Sequence, residues 1–384
     1  MQNQQVDYIV LGGGCSALSL ANQIIDNNID GYSFLILESR KKYTDDKSWC
    51  FWLEKDDNLK NLISKSWKSF SFSLKGTIIK HRSNKYYYKY IRSIEFYDKS
   101  VKKIKNSTNI SLNLGEKVIK IISKKKKYLV CTNKKKYFAK NIIDTRPKQN
   151  IYLKHPFLFQ SFLGYEIKVN KYKSNFNFAK IMDNMRVKHN NFFFDYILPM
   201  GLNKFLIEIT SFSKNSISVN TLQSMLNSTI KANNFQNYKV IRKEYGVIPM
   251  GFIKENLRTN KKNYFYAGTL GGAVRPSSGY AFLRIQKWAI ECANLLKNNK
   301  PLTSHQKEKV IIKKLDMLFL KILIKNLNIA PYIFFTFLKR IPTDSFIRFM
   351  NGNARNFDYI KIIYSMPKRI FLKTLVFKFE KNEK

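Results

Sequence analysis

Apolar and polar positions follow one another along this chain in a definite order of strand-like and helix-like segments. Val6 to Leu11 is a short β-branched run that stops at Gly12, and Ala17 to Ile25 has the spacing of a helix. A second apolar run, "YSFLILE", ends on Glu38. Late in the chain, "NYFYAGTLGGAVRPSSGYAFLRIQKWA" (Asn263 to Ala289) reads as a strand, a glycine-rich loop and an amphipathic helix. In "FLIEITSF", period-two alternation puts Phe205, Ile207 and Ile209 on one face of a strand and Leu206, Glu208 and Thr210 on the other. From Lys309 onward the pattern is helical, with Leu315, Leu318, Phe319, Ile322 and Leu323 on one stripe until Pro331 interrupts it. No apolar run reaches the roughly 18 residues that a spanning helix needs.

Composition changes this picture in one respect. The hydrophobic share of 44% is ample for packed cores, but 69 Lys and Arg against 26 Asp and Glu give a formal charge of +43. Such a charge favours anionic partners. The basic runs "SKKKKY" and "NKKKY" sit between strand-like segments, so they read as hairpin tips in water. They lack the Arg and aromatic interleaving of a nucleic-acid reader, so no nucleic-acid partner is expected. The four cysteines and four histidines show no ligand spacing, which predicts no metal site and reduced, cytoplasmic thiols. The polar N-terminus runs straight into a strand, so no signal peptide is expected.

The first turn carries candidate chemistry. Gly12, Gly13 and Gly14 with Ala17 fill a G-x-G-x-x-A pattern between a strand and a helix. The first glycine permits the tight turn, the next pair lets backbone approach a pyrophosphate, and Ala17 allows close helix–strand packing. The acidic residue that ends the second strand, Glu38, is placed to accept hydrogen bonds from ribose hydroxyls. A loop this early in a long chain suits FAD, whose binding needs a second contact segment. Gly268, Gly271, Gly272 and Gly279 in the late glycine-rich loop supply it, their N–H groups facing a pyrophosphate or flavin edge, and Pro276 in the same loop is a further cofactor-contact candidate. The fold expected is α/β, a Rossmann-type FAD-binding domain (glutathione-reductase-like) interleaved with a β-sheet substrate domain and a C-terminal helical region. Residues 1–60, 100–150 and 245–300 would build the first, 61–99 and 151–244 the second, and 301–384 the third.

The order of several further segments resembles the flavoprotein lycopene cyclases, specifically the bacterial lycopene β-cyclases. They are "SWCFW" (Ser48 to Trp52), "YIRSIEFY" (Tyr90 to Tyr97), "IIDTRP" (Ile142 to Pro147), "FQSFLGYEI" (Phe159 to Ile167) and "IMDNMR" (Ile181 to Arg186). "YILPMG" (Tyr196 to Gly201), "FLIEITSFS" (Phe205 to Ser213), "EYGVIPMG" (Glu244 to Gly251), "RPSSGYAF" and a tail "FIRFMNG…IYSMPKRIF" complete the series. The resemblance implies that Glu208 is the family's essential acid. Ile209 stands where the family has a second acid, and Pro147 where it usually has glycine.

It also implies the reaction, a net isomerisation. An acid protonates the terminal double bond of an acyclic ψ-end, the neighbouring double bond attacks the tertiary cation, and proton loss follows ring closure. Reduced FAD is required, with NAD(P)H as electron source, and the substrate is lycopene or another acyclic carotenoid. Glu208 suits the acid role if its face lines an apolar pocket, which would keep the carboxyl protonated. Asp183 is a second carboxylate candidate, its other reading being a cap or an ion pair with Arg186. Arg92 is a candidate for cofactor phosphate or a partner of Glu95, and Trp49, Phe51, Trp52 and Tyr280 offer π-faces to a cation.

A hydrocarbon substrate resides in membrane, so the basic, aromatic stretch Leu315 to Pro342 is expected to lie on anionic lipid at the inner face of the cell membrane, or to pack on the body of the protein. A flavin-dependent monooxygenase or isoprenoid reductase of the same fold is the rival reading. Such enzymes usually carry Asp after the late-strand glycine, where this chain has Thr269.

Overall fold

Ile9 to Leu11 and Phe34 to Leu37 are apolar on both sides, and strands of that kind must be covered on both faces. In the computed structural model, which describes residues 4–54, 59–147, 153–170, 176–254, 262–306 and 308–371, they occupy the middle of a layered sheet. This first sheet has the order β8 (Ile110–Asn113), β2 (Phe34–Leu37), β1 (Gln4–Leu11), β11 (Lys136–Asp144), β10 (Tyr128–Thr132) and β9 (Val118–Ser123). A short β17 (Tyr264–Tyr266) runs parallel beside the C-terminal end of β11. The strands from β8 to β11 are parallel, and β9 and β10 form the antiparallel edge. The Lys-rich tips lie in the turns of this edge.

Helix α1 (Cys15–Asp26) buries Ala17, Leu18, Leu20, Ala21 and Ile24. Its partners are α2 (Ser93–Lys105) and α5 (Phe282–Lys297), which present Phe96, Trp288, Ala289 and Ala293 to the same core. At about 1.5–3 kcal/mol for each large apolar side chain removed from water, this face fixes where α1 begins.

The second sheet is mostly antiparallel: β16 (Tyr238–Ile253), β12 (Leu153–Val169), β15 (Lys204–Ser213), β14 (Asn191–Gly201), β13 (Ala179–Lys188), β5 (Ser69–Leu74) and β6 (Thr77–Arg82), in that order. Period-two alternation sorts its residues. One face presents Ile167, Ile197, Ile207 and Ile209 to α3 (Val219–Ala232), which buries Leu222, Leu226 and Ile230 against them. The opposite face meets a small sheet of β3 (Ser48–Glu54), β7 (Tyr86–Arg92) and β4 (Lys65–Trp67), together with C-terminal helices. Because β16 stays beside β12 as far as Ile253, residues 245–253 lie with the second sheet rather than with the nucleotide half. Residues 93–99, expected with the substrate sheet, instead start α2 against α1.

Helices α6 (Val310–Lys325), α7 (Ala330–Arg340), α8 (Thr343–Met350) and α9 (Asn356–Ser365) close that opposite face. A further helical turn, α4 (Gly268–Gly271), follows β17. Of the two courses open to the apolar stripe, lipid or the body of the protein, it takes the second: Ile322 and Leu323 are buried in the core under the second sheet, and Leu315, Leu318 and Phe319 pack partly buried against it. Residues 372–384 of the expected helical region lie outside the described residues. Among the described residues no single helix is long and apolar enough to cross a membrane, and only the bent pair Val310–Lys325 and Leu327–Arg340, at 108°, passes that test together.

Candidate active site

Two glycine-rich segments far apart in sequence meet at the C-terminal ends of β1 and β17. Gly12 has φ +91°, and a Cβ there would lie 3.0 Å from Thr145 Oγ1, so the turn admits no side chain. Thr145 itself donates to the Leu11 carbonyl, so "IIDTRP" buttresses the turn from behind. The first bond within α1 runs from the Leu18 N–H to the Gly14 carbonyl, and no side chain caps the helix. Free N–H groups therefore point out of its first turn, and a Cβ on Gly14 would meet nothing within 4 Å. Gly268, with φ +63°, closes on this point, its notional Cβ 3.2 Å from Ser16 Oγ. Gly271, Gly272, buried Pro276 and Gly279 continue the late loop from there toward the second sheet.

Glu38 is buried at the end of β2 and accepts from the Gly13 N–H at 2.7 Å and the Arg40 N–H at 2.8 Å. Burial acts to raise its carboxyl. The Arg40 hydrogen bonds and charge, with the Gly13 N–H, outweigh that and hold it below the usual carboxylate range. An ionised acceptor beside a glycine turn and an uncapped helix N-terminus is the donor and acceptor set that a dinucleotide requires.

Glu208 lies in the second sheet. Its cross-strand neighbours are Tyr196 on β14 and Gly164 on β12, and Glu244 on β16 stands opposite Gly164 on the other side. Gly164 leaves the space that two carboxylates share: a Cβ on it would lie 3.3 Å from Glu208 Cβ and 3.1 Å from Glu244 Cγ. Glu208 Oε1 accepts from Thr210 Oγ1 at 2.6 Å. Burial, then the charge of Glu244, push its carboxyl up to about 8, against smaller opposing effects of Thr210 and Arg242. These effects together favour the protonated acid near neutral pH. Glu244 is tied to Ser48 Oγ at 2.6 Å and Arg242 Nη1 at 2.9 Å, and Arg242 also holds Tyr90 Oη at 2.9 Å and Glu166 at 3.3 Å.

On the same face, a cavity of about 620 Å³ opens between the sheet and the C-terminal helices. Trp52, Phe194, Tyr196, Phe212 and Tyr280 line its sheet side, and Leu315, Phe319 and Phe334 its helix side. Glu208 is not part of this lining, but Tyr196 and Tyr280, which are, both feel its charge. Burial raises both phenols well above their usual range, so they stay neutral.

Other predicted residues fall elsewhere. Asp183 does not join Glu208: it bonds Ser73 Oγ and, at 3.3 Å, Lys180, tying β13 to β5. The partner of Arg186 is Asp195 at 2.9 Å, not Asp183. Arg92 is clamped by Asp45 instead of facing a phosphate, and Glu95 accepts from Ser64. Trp49 and Phe51 pack on Phe282 away from the cavity, unlike Trp52 and Tyr280. Ile209 is fully buried in the core under α3, so that position cannot reach the acid. Sequence reasoning passed over Glu244, Arg242, Ser48 and Tyr196. The signal was present in the alternation of "EYGVIPMG" and "YILPMG", but using it needs the register across Gly164.

The family described as lycopene cyclase protein matches residues 7–376. No curated protein matches the chain. Among solved structures, a geranylgeranyl bacteriochlorophyll reductase-like protein from Thermoplasma acidophilum superposes with a TM-score of 0.63 at 13% identity, over 97% of this chain and 99% of that one. A flavoprotein/dehydrogenase from Cytophaga hutchinsonii gives 0.58 at 12% identity, over 99% and 100%. The p-nitrophenol 4-monooxygenase PnpA from Pseudomonas putida gives 0.54 at 12%, over 98% of each chain. At such identities the likeness is one of fold.

Proposed function

Because the chain belongs to the lycopene cyclase protein family, we propose that it is a lycopene β-cyclase, an intramolecular lyase that closes the ψ-ends of lycopene into β-ionone rings by way of γ-carotene to β-carotene. The observation that carries this reading is Glu208, a half-buried carboxylic acid on the cavity face of an apolar sheet, held toward its protonated form by its surroundings.

The residues divide the work as follows. The cavity takes the hydrocarbon end and excludes water from a cation that water would quench. Glu208 is the source of the proton, which passes the Tyr196 and Tyr280 hydroxyls that line the cavity beside it to reach the terminal alkene carbon, and the electron pair of that double bond forms the new C–H bond. The neighbouring double bond attacks the tertiary cation and closes the ring, and a ring proton returns to the Glu208 carboxylate, so charge balances and no electrons are gained or lost. Tyr196 and Tyr280, which line the cavity and feel the charge of Glu208, offer both hydroxyl groups and π-faces; Trp52 adds a third aromatic face.

The cradle of Gly12, Gly13, Gly14, Ala17 and Glu38, joined by the Gly268 loop, fits FAD, with NAD(P)H as the source of its electrons. Reduced flavin, when bound, supplies an electron-rich ring that favours positive charge nearby. A peripheral position on the inner face of the cell membrane suits a membrane-resident substrate. Phe357, Ile360, Ile363 and Tyr364 on α9 are exposed, and the last three also border the cavity, so this helix is the better lipid contact.

Expression in a lycopene-accumulating host, followed by chromatography of the pigments, tests the assignment. Conversion to γ- and β-carotene supports it. Unchanged lycopene rejects it, and a hydrogenated or oxygenated product selects the reductase or monooxygenase reading.

A further inference from the structure

The second carboxylate beside Glu208 is left without a role by the chemistry above. We propose that Glu244, fixed by Arg242 and Ser48 on the far side of Gly164, is the positioning residue that keeps the proton on Glu208 between turnovers. This inference rests on the reading of Glu208 as the acid.

The geometry comes first. Glu208 and Glu244 project from β15 and β16 to the same face, each paired in register with Gly164 on the strand between them. Any larger residue at 164 would wedge them apart, since even a methyl group would meet Glu244 Oε1 at 3.2 Å. Glu244 is not free to turn away, because Ser48 and Arg242 hold one of its oxygens at 2.6 and 2.9 Å.

Charge comes second. Around this point Arg92 and Arg242 face Asp45, Glu166 and Glu244, two cations against three anions before Glu208 is counted. An ionised Glu208 would add a second excess negative charge to a dry site, which is strongly disfavoured. The other groups facing Glu208 carry no charge. Thr210 on its own strand is a hydroxyl, and the thiol of Cys50 on β3 and the phenols of Tyr88 on β7, Tyr196 on β14 and Tyr280 in the late loop are pushed far up by burial. Glu244, fixed by Arg242 and Ser48, is thus the neighbouring carboxylate that opposes ionisation of Glu208.

E244Q is the test, read in two ways on the flavin-loaded protein. The first is the basic limb of kcat/KM against pH. It should fall at least about one pH unit lower than in wild type, a tenfold loss at pH 9, with little change at pH 6, and E244D should restore it. The second readout needs no turnover. The infrared band of the protonated carboxyl, assigned by its loss in E208Q, should titrate near 8 in wild type and lower in E244Q. If E244Q does not fold, G164A serves, its methyl separating the two side chains and moving both readouts the same way by less. A limb and a band that stay in place overturn the proposal, as does a loss of activity equal at all pH values. A band that shifts in a protein that cyclises nothing would keep the proposal and reject the cyclase reading.

Discussion

Glu208→Gln removes one titrating group while keeping its shape, and its effect on stability should depend on pH. In the folded chain the Glu208 carboxyl is raised from 4.5 to about 8. The folded state therefore holds this proton over a range where the unfolded chain has released it. Stability from the protonated acid is complete below the unfolded value of 4.5. It is lost as pH climbs from there to the folded value, because the charge that unfolding liberates is increasingly favourable in water. A tenfold difference in proton affinity corresponds to about 1.36 kcal/mol, so wild type forfeits roughly 5 kcal/mol by pH 8 relative to acid. Glutamine carries no such penalty. Urea unfolding of both proteins at pH 5, 6, 7 and 7.5 should show E208Q gaining on wild type by about 1.4 kcal/mol per pH unit. A difference that stays flat across this range would refute the raised carboxyl and the dry environment argued for it.

Other consequences follow from the same contacts. G13A should lose bound flavin, seen as a colourless protein, because a Cβ there would lie 2.6 Å from Tyr43 Oη and 3.0 Å from Glu38 Cβ. D183N should leave cyclisation nearly intact and cost about 1–2 kcal/mol in urea unfolding, since Asp183 ties two strands together and does not reach the acid. Phe357 is 76% exposed on α9 and lies outside the cavity lining. F357D should weaken flotation with anionic vesicles several-fold while leaving detergent-dispersed lycopene a substrate; equal vesicle binding would remove α9 from the contact.

Much of this architecture is legible from short-range pattern. The turn from Val6 to Ala17, the strand to Glu38 and the late glycine loop are local signals, because backbone geometry and helix capping act within a few residues. The alternation of Phe205 to Thr210 likewise fixes which face Glu208 shares with Thr210. What lies beyond the sequence is register and the partners it creates. Asp183 reads as a candidate because it is an isolated acid in an apolar strand, yet Ser73 from β5 satisfies it. Arg92 has Glu95 within reach in sequence, but the fold pairs it with Asp45, 47 residues earlier. The C-terminal stripe is amphipathic whether it meets lipid or protein, so its inward orientation against the sheet is decided by the cavity it closes. Glu244 sits in a quoted motif, but its meaning depends on Gly164, 80 residues earlier.

The central claim is that Glu208 gives its proton to an alkene. Purified wild type and E208Q, each loaded with reduced flavin under anaerobic conditions and given lycopene, test it most directly. The account predicts β-carotene from wild type and a loss of at least about a hundredfold in E208Q. Ring formation at the wild-type rate by E208Q would contradict it.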